Sequence, residues 1–473
     1  MLSDSFVTGR EGTEWKSNLV LLLFTVVLII PLTYYLADSG AKFTTRIGLV
    51  AFPLLLIGLL NFRIALSIFL VTLFLEINPF FYYSLSAFMV FYLLLSFAVT
   101  NKGFTLKDMK TPFTGVMIFF LLTLLPSLVN SKAPVIGILN FLQWGIVLTL
   151  IFILSNTLTT VKKINYLVLF YLVMISINAF YSIYQGLTIG RRAFGFAGIM
   201  YVDLLGIAIV VVFILMLAAK GKIKWLFGSM FTIMVLSLIF TKTRNVWLNV
   251  GMVLLMSFIH LIIKSGYLKI RRQKLIRYGV VAMVIVLVGG GGLISYFGTS
   301  FFRLSEKSKL TTESLETGDV SNSLVTRYFI WSTGLNGFLQ HPVLGIGIYT
   351  FPYTSKFYNQ LPEVLFKKFV EMYSMHHGYF AILVEAGILG FIGLIFFLSY
   401  LVRKTRKIFR EAEDTPFDVH AFISIWVITY ILISLFFSDA WFWGRGIIIW
   451  SVVLGVISSL DRLVKAFNSG SKN

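Results

Sequence analysis

Long apolar runs separated by short polar or basic stretches dominate the chain. At roughly 20 apolar residues per crossing, they predict up to fourteen membrane spans: 18–36, 46–60, 64–78, 80–99, 113–130, 135–154, 164–186, 199–219, 223–240, 246–263, 277–297, 378–402, 419–437 and 442–461. The second and third are short, so twelve spans is the alternative. One interruption is large. Residues 298–374 hold a polar first part, SEKSKLTTESLETGDVSNS, and a second part rich in aromatics, Gly and Pro, RYFIWSTGLNGFLQHPVLGIGIYTFPY. The Ser/Thr/Glu bias of the first predicts a flexible stretch. The second predicts an amphipathic helix from about Val325 to Leu339, ended by His341-Pro342. The expected organisation is an amino-terminal bundle over 1–297, a loop over 298–374 and carboxy-terminal helices over 375–473. Neither a solenoid-type repeat nor a duplication of the two halves is visible.

Composition agrees with that pattern. A chain of 473 residues with 58% hydrophobic and 13% charged residues, and a mean hydropathy of +0.89, is not a soluble globular protein. The net charge of +20 would suit nucleic acid on a soluble face, but here the basic residues lie in short loops between apolar runs. Membrane topology accounts for them, and no nucleic-acid partner is expected. Cysteine is absent, which excludes disulfides, thiolate catalysis and Cys-ligated metals. The first residues, MLSDSFVTGREGTEWKSN, lack a cleavable signal pattern. The basic clusters KSGYLKIRRQKLIR (Lys264 to Arg277) and RKTRKIFR (Arg403 to Arg410) mark the inner side. Both termini are then cytoplasmic, and the long loop and the histidines that follow it face outward.

Candidate chemistry gathers where the loop meets the next span, in MHHGYFAILVEAGILGFIGLI, Met375 to Ile395. On a continuous helix the step from His376 to Gly387 is about three turns, which predicts the imidazole and the Gly387/Gly390 pair on one face. Small residues there would let another helix approach closely. A titratable imidazole at a membrane mouth suits proton transfer, although a lone interfacial histidine is more often structural. His377 is expected to pack or lend polar support. Glu385 falls on the opposite face, and a hydrogen bond to a neighbouring helix is expected for it. Five arginines, Arg191, Arg192, Arg244, Arg327 and Arg445, stand at outer span ends, where the positive-inside tendency disfavours them. Each alone would serve as a headgroup anchor. Arg244 in TKTRNVWL, with Lys242 just before it, can instead offer a planar fork to a phosphate, and Arg327 can converge on the same site. His260 and His420 read as bystanders. No metal or cofactor is expected: there is no outer Asp-x-Asp and no His-Glu-x-x-His, and GGGG at Gly289 to Gly292 lacks a following Lys-Ser/Thr.

These residues resemble the O-antigen ligase and O-antigen polymerase superfamily of membrane glycosyltransferases. The family's His, Asn/Ser/Gln, nine residues and Gly-x-x-Gly is similar to His376, His377 and Gly387 to Gly390. Its Arg-x-x-x-Leu is similar to Arg244 to Leu248, and its Arg with an aromatic run and a Pro and Gly-x-Gly turn resembles Arg327 in TRYFIW with PVLGIGIYTF. A weaker upstream resemblance lies in RRAFGFAGIMYVDLLG. His377 departs from the pattern, standing where the family usually has an amide or hydroxyl.

The resemblance implies an all-α polytopic, GT-C-like protein of the bacterial inner membrane. Its donor would be an undecaprenyl-diphosphate-linked saccharide bound at the outer face among membrane lipids. The diphosphate would be neutralised by Arg244 and Arg327 with Arg191 or Arg192, and His376 would activate the acceptor hydroxyl. His377, Lys242, Gly387 and Gly390 would support the site. The acceptor would be a second lipid-linked glycan, giving a polymerase, or lipid A-core, giving a ligase; polymerase is slightly favoured by the long chain and extra spans. The competing class is a transporter of an anionic lipid-linked saccharide, which predicts midplane charges and repeat-related halves.

Overall fold

A computed structural model describes residues 57–59, 61–72, 90–98, 111–189, 192–196, 198, 201–264, 273, 323–442 and 445–470. The predicted spans 18–36 and 277–297, Arg191, the tetraglycine and the polar first part of the loop lie outside the described residues, as do most of spans 46–60 and 80–99 and of the Lys264 to Arg277 cluster.

Among the described residues all regular structure is helical. The spans predicted from the apolar runs become α1 (Phe62–Thr72), α2 (Thr114–Leu124) continued by a 3-10 turn (Leu125–Asn130), α3 (Pro134–Thr157), α4 (Val161–Ile189), α5 (Tyr201–Ala218), α6 (Lys222–Phe240) and α7 (Arg244–Ile263). The loop contributes α8 (Ser323–Gln340), the short α9 (Phe351–Thr354) and α10 (Glu363–Phe369). Three further helices follow: α11 (Gly378–Glu411), α12 (Asp418–Ser434) and α13 (Arg445–Gly470). Seven of the described helices are long and apolar enough to cross a membrane. The chain is a polytopic membrane protein.

Two helices outrun their apolar cores. α11 continues nine residues past the predicted end and carries the whole Arg403 to Arg410 cluster. Lys and Arg are good helix formers, and basic side chains in the last turn offset the negative end of the helix dipole. α13 likewise runs past 461. There Asp461, 5% exposed, pairs with Lys404 of α11 at 2.8 Å and with Lys465 at 2.9 Å, locking the two basic ends together. Arg462 donates to the carbonyl of Ser155 on α3, so α3 and α13 run side by side in the same direction.

The loop helix matches the expected one, extended two residues at its start and ending at Gln340 before His341-Pro342. Its core is a second cluster that reaches onto α11: Val325, Phe329 and Ile330 pack with Tyr358, Leu365, Phe366, Phe369 and Met375 and with Ala381 and Val384.

α11 is broken at Gly387, where φ is +65° and ψ is −169°, a conformation open essentially to glycine alone. The segment from Pro342 to Gly347 fills the break. The N–H groups of Ile346 and Gly347 donate to the carbonyls of Val384 and Glu385 at 3.2 and 3.0 Å. The N–H groups of Ile388 and Leu389 donate to the carbonyls of Pro342 and Val343 at 2.9 and 3.2 Å. Polar groups freed by a helix break inside a membrane need such partners, because no water reaches them. The approach is tight: a Cβ on Gly387 would lie 2.3 Å from the Val343 oxygen.

Glu385, 4% exposed, completes this joint by accepting from the N–H groups of Tyr349 and Phe351, both at 3.0 Å. Its partner is therefore the GIGIYTF turn and not a neighbouring membrane helix. The same turn is held from the other side by Ser127, which accepts from the Ile348 N–H at 3.0 Å, and by Trp144, whose indole donates to the Tyr349 hydroxyl at 2.8 Å. Gly390 packs on Leu124 of α2. Loop and bundle are one rigid joint at this point.

Candidate active site

α5, α7, α11 and α13 start at one end of the bundle, where α4, α6 and α12 finish. Cross-links between them fix this: Asn249, near the start of α7, donates to the carbonyl of Tyr430 near the end of α12 at 3.3 Å, and Ser434 donates to Asp203 at 3.4 Å. The candidate residues that the structure describes lie at this end.

His376 does not belong to a helix. It sits in a turn before α11 with φ of +53°, which only a few per cent of non-glycine residues adopt. The expected helical face shared by His376, Gly387 and Gly390 is thus absent, for two reasons: the helix begins at Gly378, and Gly387 breaks it. Strained backbone of this kind persists only where its surroundings hold it. Here Trp331 of α8 donates its indole N–H to the carbonyl of Met375 at 2.9 Å, and the buried Gly378 N–H donates to the carbonyl of Leu435 at 2.7 Å.

His377 is the N-cap of α11. Its Nδ1 accepts from the Phe380 N–H at 3.2 Å, and its ring meets Trp331, Tyr379, Phe380 and Phe436 edge-on. Asn and Ser are preferred N-caps because their side chains accept this bond. The histidine that departs from the family pattern supplies the same acceptor.

Arg327 lies one turn before Trp331 on α8, and its charge acts on His376 and His377. A third participant comes from far along the chain. Asp439, buried in the turn between α12 and α13, accepts from the Ser374 hydroxyl at 3.1 Å and exerts its charge on both His376 and Arg327. Burial pulls His376 below its ordinary value of 6.5; Asp439 opposes this by favouring the imidazolium, and Arg327 adds to it. Burial also pulls Arg327 down, and Asp439 again opposes. His376 is consequently neutral around pH 7, with a nitrogen lone pair to accept a proton. Asp439 was not among the residues singled out from sequence. Its one signal there is a lone acid in SDAWFW at the edge of an apolar run.

A second basic corner lies at the same end. The Ala193 N–H donates to the carbonyl of Phe240 at 3.3 Å, which brings the backbone beside Arg192 onto the end of α6. Lys242, with φ of +53°, turns the chain into α7, whose first residue is Arg244. Arg192, Lys242 and Arg244 are all exposed. Arg327 acts on the His376 group. The side chain of Arg445 lies outside the described residues. His260 packs among Phe409, Phe422 and Trp426, and His420 contacts Asn165 at 2.7 Å; both are far from this end. Among the described residues no group of three His, Asp or Glu could hold a metal ion.

Residues 229–395 match the O-antigen ligase family, Wzy_C. Over that stretch the chain is similar to this family, in keeping with the resemblance carried by its motifs. The match spans Lys242, Arg244, the loop, the histidine turn and the Gly387 break. It stops before α12, so Asp439 lies outside it, and it begins after Arg192. None of the curated proteins matches the chain. The family match supports a role of ligase or polymerase type in surface polysaccharide assembly.

Proposed function

We propose that the chain is a glycosyltransferase that moves an oligosaccharide from an undecaprenyl-diphosphate donor to a glycan acceptor at the outer face of the bacterial inner membrane. The observation that carries this reading is His376 in a turn held by Trp331 and Leu435, within reach of the charges of Asp439 and Arg327, at a bundle end that also carries Arg192, Lys242 and Arg244. In the reaction an acceptor hydroxyl oxygen forms a bond to the anomeric carbon of the donor sugar. The bond from that carbon to the diphosphate oxygen breaks, its electron pair leaving with undecaprenyl diphosphate. His376 takes the hydroxyl proton, and Asp439 stabilises the imidazolium that results. The basic corner and Arg327 offset the charge gathering on the diphosphate, and attack opposite the leaving group gives inversion. The long chain and the span count expected from its apolar runs favour a polymerase; transfer to lipid A-core is the second reading.

His376→Ala is expected to lower turnover by roughly 10²–10⁴-fold, the usual worth of a general base, while donor affinity stays unchanged. Arg244→Ala is expected to weaken donor binding instead. A His376→Ala protein that still transfers sugar at the wild-type rate, or still moves lipid-linked saccharide across vesicles, rules the reading out. In a deletion strain, single repeat units on core identify a polymerase, and lipid-linked polymer without core attachment identifies a ligase.

A further inference from the structure

We propose that Asp203 is a positioning residue for the His376 site, acting through Ser434 and Trp441 on the turn that carries Asp439. The inference rests on the role proposed for His376. Asp203 lies in the first turn of α5 and is 8% exposed. A carboxylate at such depth is costly in a membrane protein and is kept where it has a partner. Its partner is Ser434, the last residue of α12, which donates to Asp203 Oδ1 at 3.4 Å. The Ser434 oxygen in turn accepts the indole N–H of Trp441 at 2.9 Å. Ser434 and Trp441 are fully enclosed.

Trp441 sits in the 3-10 turn Ala440–Phe442, immediately after Asp439. That turn is closed on itself by the Phe442 N–H donating to the Asp439 carbonyl at 3.0 Å and the Ala440 N–H donating to the Ser438 hydroxyl at 3.2 Å. A displacement of the Trp441 ring therefore carries Asp439 with it. On the far side the turn packs directly under the histidine segment: a Cβ on Gly378 would meet Leu435, Phe442 and the Ser438 oxygen at 2.7 to 3.1 Å, and Ser374 donates to Asp439. The chain of contacts runs from Asp203 through Ser434 and Trp441 to the turn of Asp439, whose charge acts on His376. Facing His376 are Asp439 from this turn and Arg327 from α8, with His377 beside it in sequence. Asp203 touches none of the reacting groups and acts only by fixing where the Asp439 charge stands.

The test uses the full chain in lipid nanodiscs with ¹⁵N-labelled histidine, the His376 signal being assigned by its loss in His376→Gln. Asp203→Val removes the acceptor, Asp203→Asn keeps an acceptor oxygen, and Trp441→Phe removes only the indole N–H. Asp203→Val and Trp441→Phe are expected to lower the His376 titration midpoint by about half a pH unit, as the Asp439 charge moves away. Turnover is expected to fall roughly tenfold with donor KM unchanged, and Asp203→Asn is expected to behave as wild type. Trp441→Phe keeps the ring and its packing, so it decides the matter where Asp203→Val fails to fold. An unmoved His376 midpoint in the folded variants, with only thermal stability reduced, overturns the proposal; so does an Asp203→Asn protein as impaired as Asp203→Val. The titration needs no substrate, so it stands apart from any failure of the transfer assay.

Discussion

Trp331 donates its indole N–H to the carbonyl of Met375 at 2.9 Å, tying the loop helix to the turn that carries His376. Arg327 is one helical turn away from that anchor, so its position relative to the imidazole depends on the bond. Trp331→Phe keeps the ring against His377 and removes the donor. Losing one partly buried hydrogen bond of this kind costs about 1 kcal/mol, and the turnover of the folded protein is expected to drop several-fold. Steady-state transfer with a lipid-linked donor measures it.

The charges around His376 predict opposite shifts for two variants. Activity that needs the neutral imidazole rises with pH through the His376 pKa, which burial holds below 6.5. Asp439 raises that pKa, so Asp439→Asn moves the acid limb of the turnover profile to lower pH. Arg327 lowers it, so Arg327→Gln moves the limb to higher pH. Stability follows the same sign. The folded state disfavours the imidazolium, so the His376 contribution is fully present above the unfolded value and is lost as pH falls.

The break in α11 predicts unequal costs for two glycines. Gly387→Ala places a methyl group 2.3 Å from the Val343 oxygen, at a φ of +65°. A loss of roughly 3 kcal/mol or more is expected from strain and displacement of the capping segment. Gly251→Ala on α7 meets nothing within 4 Å and is expected to be neutral or stabilising by up to about 1 kcal/mol. Thermal unfolding in one detergent compares them directly.

The cap on α11 gives a rescue experiment. His377→Asn retains a side-chain acceptor for the Phe380 N–H, whereas His377→Ala removes it together with the ring contacts to Trp331 and Phe436. The alanine variant is expected to lose about 1 kcal/mol from the cap alone, and the asparagine variant to recover that part. Loss of activity in both variants, with the helix start intact, would assign His377 a role in the reaction itself.

The sequence by itself determined the long apolar helices among the described residues, because an apolar run of membrane length leaves its backbone no alternative to internal hydrogen bonding. It also determined the loop helix up to His341-Pro342, and that Arg244 and His376 stand near helix starts. The helical face expected for His376, Gly387 and Gly390 is replaced by a different geometry. Gly387 reads in sequence as a helical packing position, yet it breaks the helix to admit Pro342 to Gly347, a choice made by four backbone hydrogen bonds to a segment some forty residues earlier. His377 reads as a departure, yet its place before Gly378 lets its ring supply the acceptor that caps the helix.

Asp439 was invisible for the same physical reason. Its partner Ser374 is 65 residues away, and nothing in the local pattern of SDAWFW says which segment will pack against it. Local propensity and hydrophobicity act along the chain, whereas the charge that sets a histidine's proton affinity acts across space. The tertiary structure alone decided which carboxylate faces His376, and which cation stands with it.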